Sequence, residues 1–348
     1  MMNQEFEHLR MQHTIGSPIS LVGIGLHGGR QVTMRVLPAE AGNGISFTRR
    51  DLPEGENQFA ASWAQVGGTD MCTTLINLFG HYIATVEHLL ASLSGLGIDN
   101  AQIVIDGAEL PVADGSALPF VTALTKAGIK PLGVARDVLV VRRPVRVQHG
   151  ESWAELLPDV APRISISIDF QRQDIGLQSL SLCVSPQTFR EEVAAARTFG
   201  FAEQLWHLRC RGLALGGSLN NAILVENGRV ANLEGLRFPD EFVRHKALDV
   251  IGDLALAGLP IIGHYRAHRP GHRLNNDLLR LLMNDTRSWQ RVAAAELLDG
   301  RLNRRDQSVI GVDIERPGLE DPAPAYEGDR LWRDVMAFVL KRRPEDSG

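Results

Sequence analysis

The most informative segment of the chain is Phe242-Val-Arg-His-Lys-Ala-Leu-Asp-Val-Ile-Gly-Asp253. Its apolar residues recur at helical spacing and predict a helix with one buried stripe. Residues four apart share a helix face, so His245 and Asp249 project together, and Asp253 follows one turn later. An imidazole and a carboxylate placed this way can bind one divalent metal, and zinc is the expected ion for nitrogen and oxygen ligands. The alternative is a solvated His/Asp face on an ordinary helix.

A second His-bearing helix is predicted from Thr85-Val-Glu-His-Leu-Leu-Ala-Ser-Leu93. Thr85 can cap this helix, and the Leu residues supply its buried stripe. Glu87 precedes His88, so the His can bind a metal ion while the carboxylate takes a proton from water. The metalloprotease spacing His-Glu-x-x-His is absent, and Ala84 stands where the inverse motif needs its first His. A metal site must therefore be assembled from distant segments.

A third candidate lies in Arg269-Pro-Gly-His-Arg-Leu-Asn-Asn276. His272 follows a Pro-Gly turn and precedes an apolar helical pattern that runs from Leu274 to Leu282. A His held at the start of a helix is well placed to act as a general acid. The alternative is an ordinary surface His in a loop.

One glycine-rich segment resembles a nucleotide-binding motif without its context. Gly23-Ile-Gly-Leu-His-Gly28 fits the pattern G-x-G-x-x-G, which needs a helix after it to bind a dinucleotide. The next segment, Gln31-Val-Thr-Met-Arg-Val36, alternates like a strand instead. We therefore predict a hairpin turn in which the glycines allow positive φ.

Composition limits the class of protein. The 348 residues suit two domains, and the formal net charge of −5 gives no reason to expect a nucleic-acid partner. The three cysteines, Cys72, Cys183 and Cys210, form no CxxC pair, which argues against a disulfide scaffold and fits a reducing cytosol. The sequence has no apolar run near the roughly 20 residues that span a bilayer and no secretory signal. We expect a cytoplasmic protein without stable membrane insertion.

The order of predicted elements indicates an α+β fold with two related domains, each with helices layered on a β-sheet. In each half a His-bearing helix is followed by a Gly-bearing stop and an apolar strand, at 101–106 and 259–265. The predicted domains are residues 1–136 and 137–292, with the two His-bearing helices facing each other at the interface. Domain interfaces are a favoured place for ligand sites.

Two finer predictions concern the second half and the end of the chain. Residues 138–141 and 144–147 are predicted to be paired strands. Residues 293–348 are predicted to be a linker-like C-terminal extension, in which 331–340 has the pattern of a short amphipathic helix.

Taken together, these motifs resemble those of one family, the zinc-dependent UDP-3-O-acyl-N-acetylglucosamine deacetylases of lipid A biosynthesis. The resemblance runs from about residue 19 to about residue 283, in order and without large gaps. The family's two-domain α+β architecture agrees with the fold predicted from the pattern. Further matching segments are Val22-Gly-Ile-Gly-Leu-His-Gly28, Gly95-Leu-Gly-Ile-Asp-Asn100, Pro111-Val-Ala-Asp-Gly-Ser116, Ala196-Arg-Thr-Phe-Gly200, Gly212-Leu-Ala-Leu-Gly-Gly-Ser218 and Leu236-Arg-Phe238.

The resemblance implies the removal of the N-acetyl group from UDP-3-O-(3-hydroxyacyl)-N-acetylglucosamine, the committed step of lipid A biosynthesis. The partner is this UDP-linked acylated glucosamine, and a monomer is expected. One zinc ion would be held by His88, His245 and Asp249, a ligand set that also suits iron(II). The alternative enzyme is a zinc amidohydrolase acting on another N-acetylated sugar. A structural metal-binding protein would have lost Glu87 or His272, and both are present.

The resemblance also implies the catalytic roles. Glu87 would act as general base, and Thr198 would donate a hydrogen bond to the oxyanion. His272 would act as general acid or as a cationic stabiliser, with Asp253 holding its other ring nitrogen. A structural salt bridge is the alternative for Asp253.

Substrate contacts follow from the same resemblance. Lys246 is expected to contact the nucleotide–sugar part, and Phe170 matches an aromatic residue that stacks on uracil. Arg269 stands where a Lys is frequent and is expected to bind phosphate with a different geometry. Leu26 would lie close to the sugar. The acyl chain would occupy an apolar passage built by residues 199–215, with the candidate lining Phe199, Phe201, Leu205, Trp206, Leu208, Leu213 and Leu215.

Overall fold

The computed structural model describes residues 6–170 and 175–299. Helices and several sheets alternate along the chain, which confirms the predicted α+β class. The strands of the first half are β1 (Met11–Ile15), β2 (Ile19–Ile24), β3 (Gln31–Pro38), β4 (Ile45–Arg49), β5 (Gln58–Ala60), β6 (Val66–Gly68), β7 (Thr74–Ile76), β8 (Tyr82–Ile83), β9 (Ala101–Ile105) and β10 (Ile129–Ala135). Its helices are α1 (Glu87–Gly95) and α2 (Leu118–Ala127).

The second half continues the same alternation. Its strands are β11 (Asp137–Val141), β12 (Val145–His149), β13 (Ser152–Leu157), β14 (Pro162–Phe170), β15 (Gly176–Cys183), β16 (Phe199–Phe201), β17 (Ile223–Glu226), β18 (Arg229–Val230), β19 (Ile261–His268) and β20 (Trp289–Ala293). Its helices are α3 (Pro186–Thr188), α4 (Ala202–Cys210), α5 (Glu241–Ala255), α6 (His272–Asn284) and α7 (Ala294–Leu298), and Phe189–Val193 forms a π-helical turn.

The main sheet of the first half has the strand order β2-β3-β9-β4-β5. Strand β3 shows why the predicted alternation is reliable here: Val32, Met34 and Val36 are buried while the residues between them are not. Side chains two apart on a strand point to the same face, so one face of β3 packs into the core. The hairpin predicted at the glycine-rich segment is confirmed by the antiparallel pairing of β2 with β3.

The main sheet of the second half is built around β19, which pairs with β11, β13 and β14. The predicted pairing of residues 138–141 with 144–147 is wrong. Strand β12 pairs with β13 instead, and β11 lies between β19 and β20. The chain does not reverse between β11 and β12, because β11 is parallel to β19 while β12 is antiparallel to β13, which is itself antiparallel to β19. Between the two strands, the backbone N–H groups of Arg142 and Arg143 donate to the carbonyl oxygen of Ser288. The two strands therefore run in the same general direction and cannot form a hairpin.

Helices α1 and α5 pack directly against each other, as predicted for the two His-bearing helices. The contact is close because Gly252 of α5 has no side chain: a Cβ there would lie 3.0 Å from the Cα of Glu87 and closer still to its carbonyl oxygen. One continuous cluster of buried apolar side chains includes Leu89 of α1 and Leu248 of α5. The domain boundary between residues 136 and 137 stays a prediction.

Two local predictions are wrong for physical reasons. Thr85 does not cap α1: its φ is +60°, and its hydroxyl donates to Glu109 at 3.1 Å instead. Within the hairpin loop only Gly29 has positive φ. Gly25 is needed for another reason, because a Cβ there would overlap the carboxylate of Glu109, which accepts hydrogen bonds from the same loop.

The described part of the chain ends within the predicted extension. Ala294, the first residue of α7, is buried, so the start of the extension packs on the body. The amphipathic helix predicted at 331–340 lies outside the described residues. Across the described ranges, no helix has the length and apolar character needed to cross a membrane.

Candidate metal centre and active site

Helices α1 and α5 bring together His88, His245 and Asp249, whose potential ligand atoms all lie within 4.8 Å of one another. The Oδ1 atom of Asp249 is 3.4 Å from Nε2 of His245 and 3.8 Å from Nε2 of His88. The two imidazole rings are perpendicular, with centroids 5.1 Å apart. All three side chains are buried. Two nitrogens and one oxygen thus converge on a single point.

The hydrogen bonds of His245 and Asp249 use the atoms that point away from the common point. The atoms that face it, Nε2 of His245 and Oδ1 of Asp249, are left available for a metal ion. Nδ1 of His245 donates to the carbonyl oxygen of Ala196 at 3.1 Å, which directs Nε2 inward. Oδ2 of Asp249 accepts from Nζ of Lys246 at 2.9 Å. Oδ1 of Asp249 is buried and has no hydrogen-bond donor among the described residues. Leaving a buried carboxylate oxygen unpaired is costly, so the donor set fits a divalent cation.

The protonation states suit metal binding. Burial and the neighbouring His245 lower the pKa of His88 to about 3, and burial also lowers the pKa of His245. Burial opposes ionisation of Asp249, but Lys246 and His245 lower the pKa of this carboxyl far below its ordinary value. Neutral imidazoles and an ionised carboxylate are the forms that bind metal.

Glu87, the first residue of α1, lies beside the ligand set and is buried. Its Oε2 accepts the backbone N–H of Thr73 at 3.0 Å, and its Oε1 is 3.8 Å from Nε2 of His272. Burial raises the pKa of Glu87 to about 7, against the opposing effect of the His272 charge. A carboxylate with such a pKa can accept a proton near neutral pH and pass it on.

His272 is the first residue of α6, as the Pro-Gly turn predicted. Its Nδ1 donates to Oδ2 of Asp253 at 2.9 Å. Burial alone would lower the pKa of His272, but the charges of Asp253, Glu87 and Asp249 raise it to about 10. These charges favour the protonated form of His272, and its Nε2 lies 3.8 Å from Oε1 of Glu87.

The segment that contains Thr198 is fixed to α5 just beside the ligand set. Ala196 binds His245, and the next residue, Arg197, forms a buried ion pair with Glu241 at 2.9 Å. The backbone N–H of Thr198 donates to the carbonyl oxygen of Gly115 at 2.8 Å. Thr198 thus lies two residues from the carbonyl that orients a ligand.

Three of the predicted substrate-binding aromatics form one cluster. Phe170 is 5.6 Å from Phe199 and 5.5 Å from Phe201, between ring centroids. Phe199 also meets the ring of His245 at 6.2 Å, and Nζ of Lys246 lies 5.5 Å from the Phe199 centroid. The aromatic residue expected at uracil and the two expected at the acyl chain are therefore direct neighbours.

The other predicted contacts lie on two sides of this centre. Arg269 forms ion pairs with Glu151 at 2.6 Å and Asp169 at 2.9 Å, and it lines a cleft of about 340 Å³ together with His272. The carbonyl oxygen of Leu26 accepts the backbone N–H of Gly216 at 3.0 Å. The hairpin loop is thereby fixed against the end of the segment expected to build the acyl passage.

That segment forms β16, α4 and the loop that follows. None of the α4 residues is buried, and Trp206 is 68 % exposed. Apolar side chains of α4 are thus not part of the core. Arg211, directly after α4, forms an ion pair with Asp70, in a loop of the first half.

Two residues of the centre were missed by the sequence reasoning. The hydroxyl of Thr73 donates to Oδ1 of Asp253 at 2.5 Å, and the side-chain amide of Asn275 donates to Oδ2 at 2.8 Å. Asn275 lies one turn after His272 on α6, and this spacing was the available signal. Thr73 lies in a loop, and nothing in its sequence neighbourhood indicated the contact.

Comparison with known proteins identifies the family. The family model described as UDP-3-O-acyl N-acetylglycosamine deacetylase matches residues 12–284. The chain belongs to this family. Curated members named UDP-3-O-acyl-N-acetylglucosamine deacetylase are 44 to 46 % identical to the chain. The protein of Shewanella sp. is 44 % identical over 284 residues, which cover 81 % of this chain and 92 % of the relative.

Two further members of the deacetylase family agree closely. The Actinobacillus succinogenes protein is 46 % identical over 281 residues, covering 80 % of this chain and 92 % of the relative. The Idiomarina loihiensis protein is 45 % identical over 289 residues, covering 82 % of this chain and 94 % of the relative. The residues of the metal centre all lie within the span matched by the deacetylase family model.

Proposed function

We propose that the chain is a metal-dependent hydrolase that removes the N-acetyl group from UDP-3-O-(3-hydroxyacyl)-N-acetylglucosamine and releases acetate and a free amine. Family membership supports the reaction, and the names of the relatives support the substrate. The observation that carries the proposal is the buried set of His88, His245 and Asp249 with the side chains of Glu87 and His272 beside it.

We infer that the metal is zinc, held by Nε2 of His88, Nε2 of His245 and Oδ1 of Asp249. Three protein ligands with an open position are usual for catalytic zinc. When bound, the ion supplies a Lewis acid that polarises the amide carbonyl and makes water more acidic. Iron(II) also accepts two imidazoles and a carboxylate, so metal content has to be measured.

Glu87 and His272 divide the proton transfers between them. Glu87 takes a proton from the attacking water, for which its raised pKa and its position beside the ligand set are suited. His272, kept protonated by Asp253, gives a proton to the departing nitrogen. Amides are poor substrates because the amine is a poor leaving group, and this proton makes its departure feasible.

Thr198 and Lys246 stabilise negative charge, on the developing oxyanion and on the Asp249 carboxylate respectively. Thr198 donates a hydrogen bond from its hydroxyl to the oxyanion that develops on the carbonyl, since its segment is anchored beside His245. Lys246 pairs with the Asp249 oxygen that the metal does not use, and it contacts the nucleotide–sugar part of the substrate.

Substrate binding uses the surfaces around this centre. The cluster of Phe170, Phe199 and Phe201 takes the uracil ring and the first part of the acyl chain. Arg269 binds the diphosphate from the cleft it shares with His272, and Leu26 contacts the sugar. The apolar residues of α4, none of which is buried, line the acyl passage.

We also propose a cytoplasmic location, because the charged nucleotide diphosphate of the substrate does not cross a bilayer unaided. The expectation of a monomer stays a prediction.

The test is deacetylation of UDP-3-O-(3-hydroxyacyl)-N-acetylglucosamine by the purified chain, before chelation, after chelation and after zinc is added back. Activity that is lost and then restored supports the reaction, the substrate and the metal dependence together. A folded, zinc-loaded chain without activity on this substrate overturns the substrate assignment. Other N-acetylated sugars then become the substrates to assay.

A further inference from the structure

Thr73 occupies an unusual position between the two carboxylates that serve the proton transfers. It is fully buried and directly precedes β7. Its hydroxyl donates to Oδ1 of Asp253 at 2.5 Å, and its backbone N–H donates to Oε2 of Glu87 at 3.0 Å. One residue thus contacts the partner of the general acid with its side chain and the general base with its backbone.

The second oxygen of Asp253 has its own set of donors. Oδ2 accepts from Nδ1 of His272 at 2.9 Å and from the amide of Asn275 at 2.8 Å. The amide oxygen of Asn275 accepts from the hydroxyl of Tyr265 at 2.6 Å. Asp253, Asn275 and Tyr265 are all fully buried. Each oxygen of the Asp253 carboxylate therefore has its own hydrogen-bond donors. Among the described residues, Thr73 is the one that donates to Oδ1.

The assignment matters because leaving one oxygen of a buried carboxylate unpaired is costly, which favours a reorientation toward another donor. Without the Thr73 hydroxyl, only the two bonds at Oδ2 restrain the rotation of Asp253 about its Cβ–Cγ bond. His272 would then lose the fixed acceptor that orients its ring, and Nε2 would no longer face Glu87 at a defined distance. Catalytic groups tolerate displacements of only a fraction of an ångström.

We propose that Thr73 is a positioning residue that fixes the orientation of His272 through Asp253, while its backbone independently holds Glu87. The inference rests on the proposed function in that His272 is taken as the general acid. Thr73 does not touch the substrate, and its effect on turnover passes through the Asp253–His272 hydrogen bond.

Three variants separate this role from simple packing. Thr73→Val keeps the shape and the backbone N–H but removes the hydroxyl, whereas Thr73→Ser keeps the hydroxyl. The matched control is Thr74→Val, because the hydroxyl of the neighbouring Thr74 faces Sγ of Cys72 at 3.7 Å and not the carboxylates. Thr73→Ala also removes the hydroxyl, and the same result is expected for it. This variant is used if the methyl group that Val places at the hydroxyl position prevents folding.

The expected result for Thr73→Val is a fall in kcat of about 10- to 100-fold, as for the loss of one charge-assisted hydrogen bond. KM and bound zinc stay unchanged. Thr73→Ser recovers kcat to within about threefold, and Thr74→Val keeps it. In a His272→Ala background, Thr73→Val causes little further loss, because the interaction through which it acts is already gone.

A second measurement does not depend on turnover. The Nδ1-bound proton of His272 gives an NMR resonance whose chemical shift reports its hydrogen bond to Asp253. Thr73→Val moves this resonance, and Thr74→Val leaves it in place. A wild-type kcat in Thr73→Val, a full additional loss in the His272→Ala background, or an unmoved resonance each overturns the proposal. If the native chain fails to deacetylate the substrate, the resonance still decides the role of Thr73.

Discussion

Gly252 and Glu87 touch backbone to backbone, so the residue proposed as general base is anchored directly to the helix that carries His245 and Asp249. A side chain at position 252 would overlap the carbonyl oxygen of Glu87. Because Glu87 is the first residue of α1 and His88 the second, this contact holds His88 close to the helix that carries His245 and Asp249.

Gly252→Ala is therefore expected to destabilise the protein by about 1–3 kcal/mol, the usual cost of overpacking a core. It should also weaken metal binding, because α1 and α5 must separate to make room. Urea denaturation and metal analysis measure both effects. The control is Gly107→Ala, where a Cβ would be 3.4 Å from the nearest atom, on Val32. Equal stability of the two variants would contradict the close contact.

The metal content of two variants distinguishes a proposed metal ligand, His245, from the proposed general base, Glu87. His245→Ala should lose both the metal and the activity, because it removes one of the three proposed ligands in the cluster found among the described residues. Glu87→Ala should keep the metal and lose most turnover, because Glu87 is expected to move protons and not to bind the ion. Metal stoichiometry by mass spectrometry, measured beside kcat, distinguishes the two variants. Loss of metal from the Glu87 variant would contradict its assignment as base.

The pH dependence of kcat tests the general acid. The pKa of His272 is raised to about 10 by Asp253, Glu87 and Asp249 against the opposing effect of burial. A protonated acid is needed, so the rate should fall as the pH rises through this pKa. A bound divalent cation repels the imidazolium, and the falling limb of the loaded enzyme should lie below 10.

His272→Ala should remove that alkaline limb. His264→Ala is the matched control, because His264 bonds to Ser165 at 2.8 Å on β14 and has no part in the proposed mechanism. An unchanged profile in His272→Ala would rule this residue out as the acid.

Cysteine reactivity tests the packing around Thr73. Cys72 is buried, and burial raises the pKa of its thiol to about 12, whereas Cys210 is exposed. The thiolate is the reactive form, so brief alkylation should modify Cys210 at least about tenfold faster than Cys72. Peptide mass spectrometry measures the two rates, and denaturant should make them similar. Equal rates in the native protein would contradict the burial of this loop.

Helical periodicity was sufficient to predict from the sequence that His245 and Asp249 lie side by side in the centre. His245 and Asp249 are four residues apart, and any helix through them places both on one face. The segment containing Thr73 offered no comparable rule. The loop that carries Thr73 is tied to the start of α1, because its carbonyl oxygen accepts the N–H of Val86 and its N–H donates to Glu87. Tertiary contacts of this kind leave no periodic pattern in the sequence.

The wrong predictions have a common physical origin. Short strands at 138–141 and 144–147 suggested a hairpin, but β11 pairs with β19 and β20, far along the chain, and β12 pairs with β13. Thr85 has the residue type of a helix cap, yet its hydroxyl binds Glu109. In each case a partner distant in sequence supersedes the local preference.

The division of the proposed metal ligands between α1 and α5 has a consequence for how the protein is made. His88 leaves the ribosome long before His245 and Asp249 are synthesised, and a single imidazole holds a metal ion only weakly. Under this assignment the nascent chain would not be loaded until α5 has emerged and docked against α1. Metal capture would then mark the completion of folding, and a chain interrupted before α5 would remain without its ion.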